Sequence, residues 1–173
     1  GGSNLFSYGS TGSYALTDSL IPGIGCWFKF PNAGGTLFAG SSLSTLTVHL
    51  SNGWNMFGTV DHAVPAPGGG PIASSVYGYS LLNGYEPVNT LEAGKAYWVK
   101  STTPLDIVLG PATQPKLSGI DLTTCDALTF SDNHGRTQTL YLAVDHRQKI
   151  DASFFEMPPA SPDGFDVRFG SQR

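Results

Sequence analysis

The sequence predicts an all-β chain of tandem β-sandwich-like repeats with antiparallel sheets, followed by a C-terminal β segment and a Pro-rich extended tail. Three observations carry this reading. Charged residues make up only 13% of the 173 positions, about half of the ~25% usual in soluble domains. Their place is taken by 22 Gly and many Ser, Thr and Asn, a mixture that suits strands and tight turns and disfavours long solvent-facing helices. Aromatic residues alternate with Ser or Gly at a period of two, and one stretch of the chain repeats itself.

The repeat is an ungapped self-match. An offset of 71 positions carries Leu5–Lys29 onto Val76–Lys100, Phe6 onto Tyr77, Tyr8 onto Tyr79, Tyr14 onto Tyr85 and Trp27 onto Trp98. Gly23 falls on Gly94 at the same offset. Each copy reads as strand, turn, strand, turn, strand. The opening strand holds Phe6 and Tyr8, or Tyr77 and Tyr79, alternating with Ser or Gly as on a half-buried strand. A Gly-containing turn follows, at Gly12 or at Asn83-Gly84, the latter a favoured hairpin dipeptide because both residues tolerate positive φ. Leu20–Gly23 and Leu91–Gly94 then turn the chain into the aromatic strands Cys26–Phe30 and Tyr97–Lys100. A last short strand is expected at Thr36–Gly40 and at Asp106–Gly110, where the offset falls to 70.

The second copy is preceded by Leu46–Leu50, a turn at Ser51-Asn52-Gly53, and Trp54–Gly58, for which the first copy has no counterpart. The expected organisation is therefore a partial first repeat over residues 1–45, a full second repeat over 46–112, and a C-terminal segment over 113–173. Pro111–Lys116 reads as the linker. Of the 22 charged residues, 14 lie from Lys116 onward, and only Asp18 and Lys29 lie in the first 60. Beyond the linker, Asp121–Phe130 is expected as one or two strands, Asp132–Gly135 as a turn and Thr137–Val144 as a strand. Glu156–Pro162 must be extended, and Phe165–Phe169 reads as a final strand. The start, Gly1-Gly2-Ser3-Asn4, has the look of a processed end.

Several function classes are disfavoured by the same residues. A net charge of −4 and pI near 5.4 give no basic stripe for phosphate contacts, so no nucleic acid partner is expected. No apolar run approaches the ~20 residues of a membrane span. His49, His62, His134 and His146 are scattered without metal-ligand spacing. Asp61-His62 and Asp145-His146 are sequence neighbours that on a strand would point to opposite faces, and they read as turn or edge residues. Gly68-Gly69-Gly70 lacks the Lys-Ser/Thr of a phosphate loop. Glu86 and Glu92 have apolar counterparts, Ala15 and Ile21, and read as surface charge rather than a glycosidase pair. Asp132–Gly135 lacks the distal Glu of a calcium loop. No catalytic residue, metal or cofactor is expected, and the chain is read as a non-enzyme.

The motif "LSNGWNMFGTV", the paired tyrosines after it and "LEAGKAYWVK" resemble the G-W-N … G-x-x-Y-W-V modules of secreted bacterial surface proteins. The tail "GRTQTLYLAVD … FFEMPPASPDGFDVRF" resembles the segment preceding the sorting domain in cargo of the type IX secretion system. The resemblance covers Leu46 to Phe169 and implies export, a β-sandwich architecture and an extracellular or cell-surface location. It implies no catalytic activity.

The candidate functional residues are therefore the repeat-core aromatics Phe6, Tyr8, Tyr14, Trp27, Trp54, Tyr77, Tyr79, Tyr85 and Trp98. The tryptophans are expected between sheets, and the tyrosines either there or on a contact surface. Cys26 and Cys125 are either a disulfide or two small buried residues. The expected function is structural or adhesive, with self-association through β-strand and apolar contacts. The alternative is a glycan-binding module of a larger secreted protein, with Tyr79 and Tyr85 stacking on sugar.

Overall fold

The computed structural model describes residues 4–30, 32, 37, 39–111, 122–142, 152–162 and 164–170. Its strands in chain order are β1 (Asn4–Tyr8), β2 (Tyr14–Thr17), β3 (Cys26–Lys29), β4 (Leu46–Leu50), β5 (Gly53–Gly58), β6 (Val64–Pro65) and β7 (Tyr77–Ser80). They continue with β8 (Gly84–Pro87), β9 (Thr90–Leu91), β10 (Ala96–Ser101), β11 (Leu105–Leu109), β12 (Asp126–Ser131) and β13 (Thr137–Leu142). Two short 3-10 turns, Leu122–Thr124 and Ala152–Phe155, are the only helical elements among the described residues. The chain is all-β, in several small antiparallel sheets.

Strands matched by the 71-residue offset take the same order and register. The N-terminal sheet runs β2-β1-β3, and the central sheet, β5-β10-β7-β8, contains the equivalent order β8-β7-β10. Phe6 pairs with Trp27 and Tyr8 with Tyr14 in the first, as Tyr77 pairs with Trp98 and Tyr79 with Tyr85 in the second. The turn before each aromatic strand holds its glycine in the left-handed region, Gly23 at φ 85° and Gly94 at φ 75°. A side chain is strained there, which is why both repeats keep Gly at this point.

The central sheet is covered on both faces. On one, Phe57, Val76, Tyr97 and Val99 pack against Val48, Leu50, Ile107 and Leu109 of the β4–β11 ladder, with Val64 and Leu91 of β6–β9 beside them. Leu91 and Leu109 are fully buried, and each contributes about 1.5–3 kcal/mol of hydrophobic stabilisation. On the other face, Met56, Tyr77, Tyr85 and Trp98 meet Tyr8, Tyr14 and Trp27 of the N-terminal sheet. Successive side chains of β10 point alternately into these two layers, so its apolar run Ala96-Tyr97-Trp98-Val99 is continuous.

Three expected strands differ. At Thr36–Gly40, the described residues Leu37, Ala39 and Gly40 lie outside any strand, with Leu37 93% exposed; Thr36 and Phe38 lie outside the described residues. Leu122–Thr124 forms a 3-10 turn before β12. Phe165–Phe169 forms no strand, because alternation alone is not enough without a neighbour to bond. The linker beyond Pro111, residues 143–150 and the Asp145-His146 couple lie outside the described residues.

The β12–β13 hairpin closes as expected at Asp132–Gly135. Asp132 Oδ1 accepts the backbone N–H groups of His134 (2.8 Å) and Arg136 (2.9 Å), while Oδ2 accepts from the Arg136 guanidinium (2.6 Å). Desolvation pushes this carboxyl up, but the Arg136 backbone and side-chain bonds and the His134 backbone bond together outweigh it and hold its pKa down at about 2.

Candidate functional site

The aromatic layer is built by symmetry between the repeats. Trp27 meets Tyr79 edge-on at 4.7 Å, and the offset-related pair Trp98 and Tyr8 meets edge-on at 4.8 Å. Within each repeat, Tyr8–Tyr14 and Tyr79–Tyr85 both stand at 5.2 Å, with interplanar angles of 70° and 68°. The two sheets thus face one another about an approximate two-fold axis, like the halves of an isologous dimer joined in one chain. Edge-to-face pairs of this kind contribute about 0.5–1.5 kcal/mol beyond their buried area. Trp54 joins the cluster at 6.4 Å from Trp98, while Phe6 is half-buried beside Trp27 in the register.

The symmetry breaks at the hydroxyls. Trp27 Nε1 donates to Tyr14 Oη at 3.3 Å, whereas the matching indole N–H of Trp98 is buried without a partner among the described residues. Tyr85 Oη donates instead to Pro159 O (2.7 Å), and Tyr14 Oη donates to Ala160 O (3.1 Å). The Pro-rich segment therefore lies over the tyrosine end of the layer. Glu156 anchors its start through Lys100 Nζ and Trp54 Nε1, and Arg168 donates to Pro158 O. Burial raises the Tyr14 and Tyr85 phenols above their ordinary value and pushes Tyr77 up to about 12, with the Glu156 charge adding to the last. Tyr79 and Tyr85, the expected sugar-stacking pair, are turned into this packing, with Tyr85 only 4% exposed.

The two repeats differ at their matching edge strands. The outer edge of β8 is closed by Gln138 from β13: Tyr85 N–H donates to Gln138 Oε1 and Gln138 Nε2 donates to Tyr85 O, both at 3.1 Å. One side-chain amide thus substitutes for a neighbouring strand. Gly84 is required beside it, since a Cβ there would overlap Gln138 Oε1. Strand β8 also carries Glu86 and, as its last residue, Pro87, residue types that discourage strand addition. The equivalent edge, β2, carries Ala15 and Leu16 at those positions, both exposed, Leu16 at 69%.

A cleft of about 380 Å³ opens where β10 leaves β7. The β1–β3 ladder holds through Ser7–Cys26, but the β7–β10 ladder has only the Trp98–Tyr77 pair. Cys26, Trp27, Tyr79, Glu86, Lys95 and Ala96 are among the residues that line it.

The titratable candidates are dispersed. His49 Nδ1 lies 2.6 Å from Asp106 Oδ1 on the outer, exposed face of the β4–β11 ladder. Asp61 and His62 lie in a loop and not on a strand, as turn or edge residues do, so the opposite-faces rule does not apply and the two meet at 2.7 Å. Glu92 pairs with Lys95 at 2.5 Å, and Glu86 accepts from Asn83. Gly69 and Gly70 take positive φ in an open loop. Cys26 and Cys125 are both free thiols, so the disulfide alternative is not realised, and burial pushes the Cys26 thiol up. Among the described residues, no three His, Cys, Asp or Glu side chains converge, and no helix is long and apolar enough to cross a membrane.

No family model, curated protein or solved structure matches this chain.

Proposed function

We propose that this chain is an extracellular structural or adhesive surface protein that assembles through β-strand and apolar contacts. The reading is carried by the contrast between its two equivalent edges. Strand β8 bears Glu86 and Pro87 and is closed by Gln138, while β2 bears Ala15 and Leu16 and, among the described residues, ends its sheet. An edge strand without charge, proline or cover is a template for another strand.

The surrounding surface supports the same reading. Of the 13 large apolar side chains exposed among the described residues, seven lie between Leu16 and Leu43. That stretch of the chain carries only Asp18 and Lys29 as charges, so an apolar surface is left with little to keep two copies apart. Secretion and a cell-surface location follow from the resemblance of the G-W-N and Y-W-V segments and of the tail to exported surface proteins.

The test is to give β2 the protected edge of β8. Ala15→Glu with Leu16→Pro transplants residues that the same strand geometry already accommodates at Glu86 and Pro87. Sedimentation of the native chain is expected to depend on concentration, and the double variant to remain monomeric with unchanged circular dichroism. A native chain that is monomeric across the whole concentration range contradicts the assembly reading.

A further inference from the structure

Residues 156–162, Glu-Met-Pro-Pro-Ala-Ser-Pro, cross the tyrosine end of the aromatic layer without joining a sheet. Pro158, Pro159 and Pro162 fix φ at about −65° and hold the residues before them extended, and they have no N–H to give to a ladder. Recognition therefore runs through carbonyls. Three in succession are taken by side-chain donors: Pro158 O by Arg168 Nη2 (3.0 Å), Pro159 O by Tyr85 Oη (2.7 Å) and Ala160 O by Tyr14 Oη (3.1 Å). Tyr14 and Tyr85 are equivalents at the 71-residue offset, so each repeat lends one hydroxyl to the trough. Pro158 is fully buried and Met157 packs on the aromatic cluster. Glu156 is held at the start by Lys100 Nζ (2.5 Å) and Trp54 Nε1 (3.4 Å). Among the described residues, no backbone-to-backbone hydrogen bond ties 156–162 to a strand.

We infer that this trough is a recognition site for an extended Pro-rich segment, filled in cis by residues 156–162, and that the same segment of a second copy takes its place when copies are held together. Aromatic grooves that read P-x-x-P segments work by the same physics. The ligand is already stiff, so it loses little entropy on docking, and rings grip it from the side. Pro159-Ala160-Ser161-Pro162 is such a segment. Its occupancy by a second copy needs no new interface, because that copy presents the same Met157, the same Pro158 and the same carbonyls. Of the groups that grip the segment, Tyr14, Trp54, Tyr85 and Lys100 all belong to the two repeats, and only Arg168 follows the segment in the chain. In an isolated chain the cis segment competes at the high effective concentration of a tethered ligand, so dilute chains keep their own. Exchange therefore rests on the assembly reading for its setting, where neighbours are crowded together, and it adds a second link between them.

The test uses full chains whose β2 edge is blocked by Ala15→Glu with Leu16→Pro. One chain keeps its segment and loses the trough hydroxyls through Tyr14→Phe and Tyr85→Phe. The other keeps the trough and loses the segment through Met157→Asp and Pro158→Gly. Each alone is expected to sediment as a monomer, and their equimolar mixture as a heterodimer. A mixture that stays monomeric, with both chains retaining the native circular dichroism, overturns the exchange. A second measurement needs milder changes. A fluorescent peptide of sequence Phe155–Pro162 is expected to bind the chain carrying only Met157→Ala about tenfold more tightly than the same chain with Tyr14→Phe and Tyr85→Phe added. Equal binding, or none to either chain, overturns the site. These outcomes separate from that of the assembly reading. A native chain that self-associates while the mixture stays monomeric loses only the trough, and a heterodimer from a natively monomeric chain keeps the trough and loses assembly through β2.

Discussion

Replacing Trp98 by Ala is expected to destabilise the chain by about 3–5 kcal/mol, the largest effect of any single substitution in the aromatic layer. Trp98 is 2% exposed and touches both repeats, with Tyr8 at 4.8 Å, Tyr14 at 6.3 Å and Trp54 at 6.4 Å. Removing it opens a cavity at the centre of the interface and withdraws the edge-on partners of two tyrosines. Trp98→Phe should be far milder. It keeps a ring for Tyr8 and deletes the indole N–H that has no hydrogen-bond partner, a group whose burial costs about 1–3 kcal/mol. Trp27→Ala, at the matching position on a half-buried strand, is expected to cost less than Trp98→Ala. Urea unfolding followed by tryptophan fluorescence and circular dichroism measures all three.

Gln138→Leu comes second, with an expected loss of about 2–4 kcal/mol. The side chain is 1% exposed, and both halves of its amide are used on Tyr85. Leucine fills the same space but leaves the Tyr85 N–H and C=O buried without partners, which costs more than removing a solvated hydrogen bond. Gln138→Glu separates the two bonds. An ionised carboxylate still accepts from Tyr85 N–H but cannot donate to Tyr85 O, whereas the protonated acid does both. Burial raises that carboxyl above its unfolded value, so the variant should gain stability as the pH falls through the raised value, opposite in sign to a paired surface carboxylate. Denaturant titrations at several pH values read this directly. A flat pH profile for Gln138→Glu would mean that the amide is not closing the β8 edge.

The strands around Tyr8, Tyr14 and Trp27, and those around Tyr79, Tyr85 and Trp98, were legible in the sequence because period-two alternation and Gly turns are local signals. The self-match also carried their register. What local signals did not carry was the partner of each face. Phe165–Phe169 alternates like a strand, yet it pairs with no strand among the described residues and forms none. Asp61-His62 reads as a turn or edge couple and lies in a loop, but that the loop brings the two side chains together was not legible. Gln138 is the most instructive omission. Its position parity with Leu140 and Leu142 put it on the apolar face of β13, and a polar residue in phase with an apolar face marks a buried group that needs partners. The Gln138–Tyr85 bonds span a separation of 53 residues, and nothing local encodes that.

Double-mutant cycles on the two image pairs, Tyr8 with Trp98 and Trp27 with Tyr79, test that facing arrangement most directly. Each ring is replaced by leucine singly and together, and stability is read by denaturant unfolding. Sheets that oppose each other across the aromatic layer predict favourable coupling in both pairs, about 0.5–1.5 kcal/mol and similar between them. Additive losses in both pairs would mean that the repeats do not meet through these rings, and the shared layer and its two-fold relation would fall together.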